Sequence, residues 1–212
     1  MTDVLMNLET DPETATQLCL DAQARLASRV AHLTEKDIRS ASLLPDWSVG
    51  HVLTHLARNA DAHARRLAGA LAGEDVPKYQ DGEQQRRHEI EQGATRSAVE
   101  IITDLHASMS ALEQTLAKCS LAGWPNDNFL GGGDYGVAGC PAHRLREVEM
   151  HHVDLGLGYS PLDWPQEYVA WDLPVLLATV PDRLESSSER HSLMAWLAGR
   201  GPLSTTTKLA SW

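Results

Sequence analysis

Glu147 and His151 form a pair whose residue types and spacing could bind a metal ion. They lie four positions apart in a segment with helical periodicity, so both side chains project from one face of a helix. Both also lie beside the apolar line of Leu145, Val148 and Leu155. A carboxylate and an imidazole at this spacing can reach one ion, as in the metal sites of carboxylate-containing bundles. A solvated glutamate–histidine pair is the competing interpretation, because such pairs are common on exposed helices.

A third ligand is available from an earlier helical segment that carries His51, His55 and His63. His55 lies nearer the edge of the apolar face than His51 does. His63 falls within that face, where we expect a buried histidine with a satisfied hydrogen bond. His55, Glu147 and His151 together supply two imidazoles and one carboxylate. Three protein ligands that leave one position open are typical of catalytic zinc sites, so the sequence predicts a divalent-cation site with zinc as the expected ion.

Other residues near this pattern have competing interpretations. His143 extends the ligand row by one turn, but its place in the first turn of the helix favours exposure to solvent. Glu149 and His152 form a second acid–imidazole pair, although the position of His152 in the apolar line favours packing. The helix dipole would lower the pKa of Cys140 and make its thiol reactive, but an inert thiol is the expected state.

Two segments that precede the helices of the predicted ligands contain aromatic residues. Trp47 precedes the helix of His55, and we expect it to be a packing anchor. A long loop with three consecutive glycines precedes the helix of Glu147, and long loops in compact domains are usually functional. Its position lets it border the metal cavity, with Trp124 or Tyr135 lining the entrance.

Four predicted helices position these residues, and their apolar spacing indicates an all-α fold. They cover about 14–33, 48–71 and 97–118, and a fourth stretch that starts at 141 and ends near Gly156 or Gly158. Ser48 is the expected N-cap of the second helix, and Pro141 suits the first turn of the fourth. An earlier start of the third helix near Glu83, with Gly93 as a weak point, is an alternative. We expect residues 1–158 to form a four-helix bundle and residues 159–212 a smaller, mainly helical appendage punctuated by prolines.

The composition favours a globular protein that acts on small molecules. Acidic residues outnumber basic ones by 29 to 18, and the resulting charge of −11 repels nucleic-acid phosphates. No apolar run approaches the roughly 18 residues of a membrane span, and the N-terminus lacks the features of a secretory signal. Three widely spaced cysteines form no CxxC pair, which argues against disulfides and against a cysteine zinc site. We expect a cytoplasmic monomer or homodimer without nucleic-acid or membrane partners.

Four segments together resemble the mycothiol-dependent maleylpyruvate isomerase family, a branch of the DinB-like metalloenzymes. The specific segments are LPDWSVGHVLTHLARN at 44–59 and REVEMHHVDLG at 146–156. They are supported by RHEIEQGA at 87–94 and, weakly, by WLAGRG at 196–201. The likeness places the family's metal-binding histidine on His55, and its glutamate and second histidine on Glu147 and His151. The helical periodicity favours the same three residues.

The resemblance implies a DinB-like bundle in which a divalent ion, usually zinc, lies between the second and last helices. Mycothiol, a sugar-linked cysteine thiol, would bind there as a thiolate, since a bound cation lowers the pKa of a thiol. The implied activity is cis–trans isomerisation of a maleylpyruvate-like substrate, with Arg200 binding negative charge on the substrate or the thiol. Transfer of the thiol to an electrophile is the second activity that the family implies. A non-catalytic protein that binds metal or thiol conjugates is the alternative, as is a metal-free dimer scaffold.

Overall fold

The computed structural model describes residues 7–125, 128–131, 135–184 and 186–202, and these residues contain eight α-helices and no β-strand. The all-α fold predicted from the sequence is confirmed. The helices, in chain order, are α1 (Pro12–Val30), α2 (Glu35–Arg39), α3 (Val49–Leu71), α4 (Gly82–Gly93), α5 (Ala98–Ala122), α6 (Cys140–Asp154), α7 (Gln166–Arg183) and α8 (Ser187–Leu197).

Two compact units divide the chain, with the boundary after residue 168. The first comprises residues 7–168 and contains α1 to α6. The second includes residues 169–184 and 186–202, and it contains α8 together with most of α7. Within the described part of residues 159–212, where we expected a mainly helical appendage, lie α7 and α8. No helix among the described segments is both long and apolar enough to cross a membrane.

Helices α1, α3, α5 and α6 form the bundle of the first unit. Helix α6 packs against α1 and α3, and α5 packs against the same two helices. Burying an aliphatic side chain of this core contributes about 1.5–3 kcal/mol, and this stabilises the arrangement. The four-helix bundle predicted from the apolar spacing is therefore confirmed. Fully buried core residues from all four helices include Leu26, Leu53, Leu56, Ile101, Leu105, Leu145 and Val148.

Helix α3 begins where the sequence predicted. The Ser48 hydroxyl accepts a hydrogen bond from the backbone N–H of His51, and the His51 ring returns a contact to the Ser48 backbone N–H at 3.2 Å. This reciprocal cap satisfies donors that would otherwise be unpaired at the helix start. It fixes the start of the 23-residue helix that carries His55.

The segment before α5 forms a separate helix, α4. The alternative prediction, in which the third predicted helix starts near Glu83, is therefore wrong. Ser97 caps α5 through the backbone N–H of Glu100, and α4 ends at Gly93. A Cβ atom on Gly93 would lie 2.3 Å from Cγ2 of Thr54, far inside van der Waals contact. The missing side chain therefore lets α4 approach α3 beside His55.

Candidate metal centre

His55 on α3 meets Glu147 and His151 on α6, because these two helices are neighbours in the bundle. Nε2 of His55 lies 2.9 Å from Oε2 of Glu147, and Nε2 of His151 lies 3.4 Å from the same oxygen. One ligand atom from each residue falls within 4.8 Å of the others. Tetrahedral zinc with ligands at 2.0–2.1 Å requires separations of about 3.3 Å between ligand atoms. The donor set and its spacing therefore fit a divalent ion after small adjustments.

The three candidate ligands have unequal protonation. Burial lowers the pKa of His55, so its ring is neutral at pH 7. Burial opposes ionisation of Glu147, but hydrogen bonds with His151 and His55 outweigh it and hold the pKa well below its ordinary value. Burial also disfavours the charged form of His151, yet Asp154 and Glu147 raise its pKa to about 9. The cluster at pH 7 thus consists of one neutral imidazole, one carboxylate and one imidazolium.

Asp154 orients His151 from the side away from the cluster. Its Oδ2 lies 2.9 Å from Nδ1 of His151, which keeps a proton on Nδ1 and turns Nε2 toward Glu147. Such carboxylate–histidine pairs fix the tautomer of metal-binding imidazoles and raise their basicity. The sequence contained this signal, since Asp154 follows His151 by three positions on the same helix.

Arg86 on α4 contacts the second nitrogen of His55. Its Nη2 lies 3.3 Å from Nδ1, and a guanidinium can only donate. Nδ1 therefore accepts, and the ring proton lies on Nε2, toward Glu147. An ion at Nε2 requires that proton to leave Nε2, so metal binding weakens the contact with Arg86. The tilted Trp47 ring, 5.7 Å from the His55 ring, contacts the site and agrees with the expected packing anchor.

A cavity of about 560 Å³ opens beside His55 and Glu147. Tyr135 lines it, as the sequence suggested, whereas Trp124 packs against a core cluster and donates to Glu13 at 2.9 Å. Cationic side chains also line this cavity, and sequence reasoning did not assign them there. The full lining consists of His55, Asn59, Arg66, Pro77, Lys78, Tyr79, Gly82, Glu83, Arg86, Gly131, Tyr135 and Glu147.

His143 lies outside the three-residue cluster, and its predicted exposure is wrong. Only 16% of its side chain is exposed, because its ring stacks on Tyr135 and its Nε2 lies 2.9 Å from Glu9. Burial, aided by nearby cations, lowers its pKa to about 3. The partner residue Glu9 lies 134 positions earlier, so helical periodicity could not reveal it.

His63 is buried, as predicted, but its hydrogen bond is not found. Neither ring nitrogen has a hydrogen-bond partner within the described segments. Burial, with Lys78 and Arg144 nearby, holds its pKa well below the ordinary value. The expectation of a satisfied core histidine was therefore wrong in that detail.

The second acid–imidazole pair does not form a joint site. His152 is buried and stacks on Tyr159, so the packing interpretation is confirmed. Glu149 instead pairs with Arg25 at 2.6 Å and accepts a hydrogen bond from Tyr159. Cys140 is fully buried, and burial raises its pKa to about 11, which opposes reactivity and agrees with an inert thiol.

Arg200 belongs to the second compact unit. It is exposed, and its Nη1 donates to the carbonyl oxygen of Ala198 at 3.1 Å. Its predicted role in binding negative charge stays a prediction.

Comparison with known proteins supplies a family and a fold. The sequence model of a protein family, the mycothiol maleylpyruvate isomerase N-terminal domain, matches residues 19–156. A crystal structure of the mycothiol-dependent maleylpyruvate isomerase is 24% identical, with a TM-score of 0.72. A mutant of that enzyme is 23% identical, with a TM-score of 0.71. Each alignment covers 78% of this chain and 70% of the other. Comparison with curated protein sequences gives no significant match.

Proposed function

The chain belongs to the family of the mycothiol maleylpyruvate isomerase N-terminal domain, and we propose that it is a metal-dependent enzyme that activates mycothiol as a thiolate. The single observation that carries this proposal is the convergence of His55, Glu147 and His151 beside a cavity large enough for a small molecule. Zinc is the proposed ion, because two imidazoles and one carboxylate suit it and leave a position open.

Some residues of the site would bind the ion, and another orients a ligand side chain. His55, Glu147 and His151 would hold the ion, and Asp154 keeps the His151 ring turned toward it. A divalent cation in this position lowers the pKa of a thiol that binds it and so supplies a nucleophile at neutral pH. Glu147 contributes one negative charge to the site, so the cation retains a net positive charge that favours a thiolate.

The proposed reaction is cis–trans isomerisation of a maleylpyruvate-like substrate. The sulfur forms a bond to one carbon of the cis double bond, and the displaced electron pair moves to the conjugated carbonyl oxygen. The former double bond is then single and rotates. Return of the electron pair breaks the carbon–sulfur bond, which releases the trans isomer and the unchanged thiolate. Arg200 is proposed to neutralise negative charge on the substrate or the thiol.

Thiol transfer to an electrophile is the second form of the proposal. It needs the same thiolate, but the carbon–sulfur bond is kept. The displaced electron pair then either binds a proton or departs with a leaving group. The reducing cytoplasm is the proposed location, and it agrees with the free, buried state of Cys19, Cys119 and Cys140.

A steady-state assay tests the proposal and separates its forms. The zinc-loaded protein is incubated with mycothiol and maleylpyruvate, and the trans isomer and the thiol adduct are quantified by chromatography. We expect the trans isomer only when mycothiol is present, and its loss in His55→Ala. Persistent adduct would identify transfer instead. Zinc binding without thiol-dependent turnover on a panel of electrophiles would favour the non-catalytic binding protein.

A further inference from the structure

Arg66 is a buried cation whose hydrogen-bonding capacity is only partly used. It lies on α3 with 1% exposure, and its Nη2 donates to the carbonyl oxygens of Leu130 and Tyr135 at 2.8 and 2.9 Å. Its Nε and Nη1 have no hydrogen-bond partner, and within the described ranges no carboxylate pairs with it. A buried charge that lacks a counter-ion is costly, so such groups are usually paired or bind a ligand.

Arg66 lies on the same face of α3 as the candidate metal ligand. It follows His55 by eleven positions, which returns the helix to nearly the same direction after three turns. The rise between the two Cα atoms is about 16 Å, and helical side chains lean toward the N-terminus, here toward His55. Both residues line one cavity, with Asn59 between them. The cavity therefore extends from the metal centre to the buried guanidinium.

The described side chains that line this cavity carry a small excess of positive charge, although the whole chain carries −11. Among these described residues, Arg66, Lys78 and Arg86 are cationic, and Glu83 and Glu147 are acidic. Glu147 lies between the two histidines, and the exposed Glu83 pairs with Arg86 at 3.4 Å. A cationic cleft in an acidic protein attracts and concentrates anions selectively.

The residues around Arg66 add no positive charge from histidines, and they bring a loop close to the guanidinium. Burial and nearby cations, Arg66 and Lys78 among them, lower the pKa of both His63 and His143, so neither adds positive charge at pH 7. Gly131 keeps the loop close, because a Cβ atom there would lie 2.8 Å from Nε of Arg66. The loop thus encloses the guanidinium without supplying a negative charge from its described residues.

We propose that Arg66, assisted by Lys78, forms a carboxylate subsite at the end of the cavity far from the metal centre. The proposal rests on the proposed function for the identity of the ligand, which is the electrophilic substrate. Its reacting carbon lies near the metal, and its carboxylate accepts hydrogen bonds from Nε or Nη1 of Arg66. A carboxylate oxygen can accept one hydrogen bond from either unmet nitrogen, and a carboxylate carries less charge than a phosphate dianion and so costs less to bury. Arg66 therefore selects electrophiles that carry a carboxylate at one end.

A purely structural role for Arg66 predicts different behaviour. A residue that only fastens the loop needs Nη2, which already holds the carbonyl oxygens of Leu130 and Tyr135. Its replacement would then lower stability without changing affinity for anions in the protein that still folds. The subsite predicts a change in anion affinity that depends on the charge of the ligand.

Calorimetric titration of the metal-free protein tests the subsite. Maleate is the probe, neutral maleamide and inorganic phosphate are the comparison ligands, and Arg66→Gln is the variant. Arg29→Gln is the matched control, because Arg29 is an exposed arginine that does not line this cavity. We expect maleate to bind the wild type and Arg29→Gln equally. Arg66→Gln should bind it about tenfold more weakly or worse, since hydrogen bonds to charged groups are lost.

Several outcomes would overturn the proposal. They are unchanged maleate affinity in folded Arg66→Gln, equal binding of maleamide, and tighter binding of phosphate than of maleate. Circular dichroism establishes folding, and should Arg66→Gln not fold, Lys78→Met is titrated in its place. Weaker maleate binding by Lys78→Met supports the subsite, and unchanged binding overturns it. Because neither metal nor mycothiol is present, this result is independent of whether thiol-dependent turnover occurs.

Discussion

Zinc binding should release about one proton at pH 7, and His151 is its source. The pKa of His151 in the metal-free protein is about 9, so its ring is protonated, whereas only a neutral imidazole binds zinc. Glu147 is already ionised and His55 is already neutral, so neither contributes a net proton. The proton on His55 only needs to move from Nε2 to Nδ1.

The size of this effect follows from the raised pKa. Below that pKa, each increase of one pH unit makes displacement of the proton easier, so the apparent affinity rises about tenfold, or about 1.4 kcal/mol. Between pH 7 and pH 9 the gain is therefore about 50-fold, because about half of the His151 rings are still protonated at a pH equal to the pKa, and the gain levels off above it. A histidine with its ordinary pKa of about 6.5 would give almost no gain over this range.

Calorimetry in buffers of different ionisation enthalpy counts the released protons directly. At pH 7 the observed enthalpy plotted against buffer enthalpy should have a slope of about one proton per zinc ion. In Asp154→Asn the slope should be smaller, because the hydrogen bond that Asp154 accepts from Nδ1 raises the pKa of His151. A slope near zero for the wild type, or an affinity that does not change between pH 7 and 9, would refute the assigned protonation of the cluster.

Three further changes have expected outcomes. His55→Ala should lose bound zinc in elemental analysis, whereas the exposed His106→Ala should retain it; equal metal in both proteins would show that the ligand set is wrong. Asp154→Asn should bind zinc about 10–100-fold more weakly in competition with a chelator at a pH above the pKa of His151, where protons no longer compete, and wild-type affinity there would show that Asp154 does not support His151. Gly93→Ala should lower the free energy of unfolding by about 1–3 kcal/mol in denaturant titration, because its Cβ would overlap Thr54; an unchanged value would contradict the close approach of α4 to α3.

Local patterns in the sequence carried enough information for the bundle and its ligand pair. The apolar spacing marked the four long helices, and the Ser48 cap fixed the start of α3. The four-residue spacing placed Glu147 and His151 on one face of α6, since helical geometry alone determines this. His55 could be predicted as a ligand because it lies near the edge of an apolar face, and that face is also a property of one helix.

Contacts between distant segments were beyond such patterns. Arg86 reaches His55 from α4, and no local pattern in the sequence indicates that α4 packs against α3. Glu9 covers His143 from 134 positions away, so a residue expected in solvent is largely buried. In the sequence, Arg66 is one of several charged residues on a long helix. Its burial depends on the loop that closes over it, and periodicity does not predict loop positions.

Cobalt substitution shows whether the thiolate of mycothiol binds an ion at the three-residue cluster. Cobalt(II) is loaded in place of zinc, mycothiol is added, and the near-ultraviolet absorption is recorded for the wild type and for His55→Ala. We expect a new thiolate-to-cobalt charge-transfer band in the wild type, because the sulfur would bind an ion held by His55, Glu147 and His151. A cobalt-loaded wild type whose spectrum does not change with mycothiol, or an equal band in His55→Ala, would contradict it.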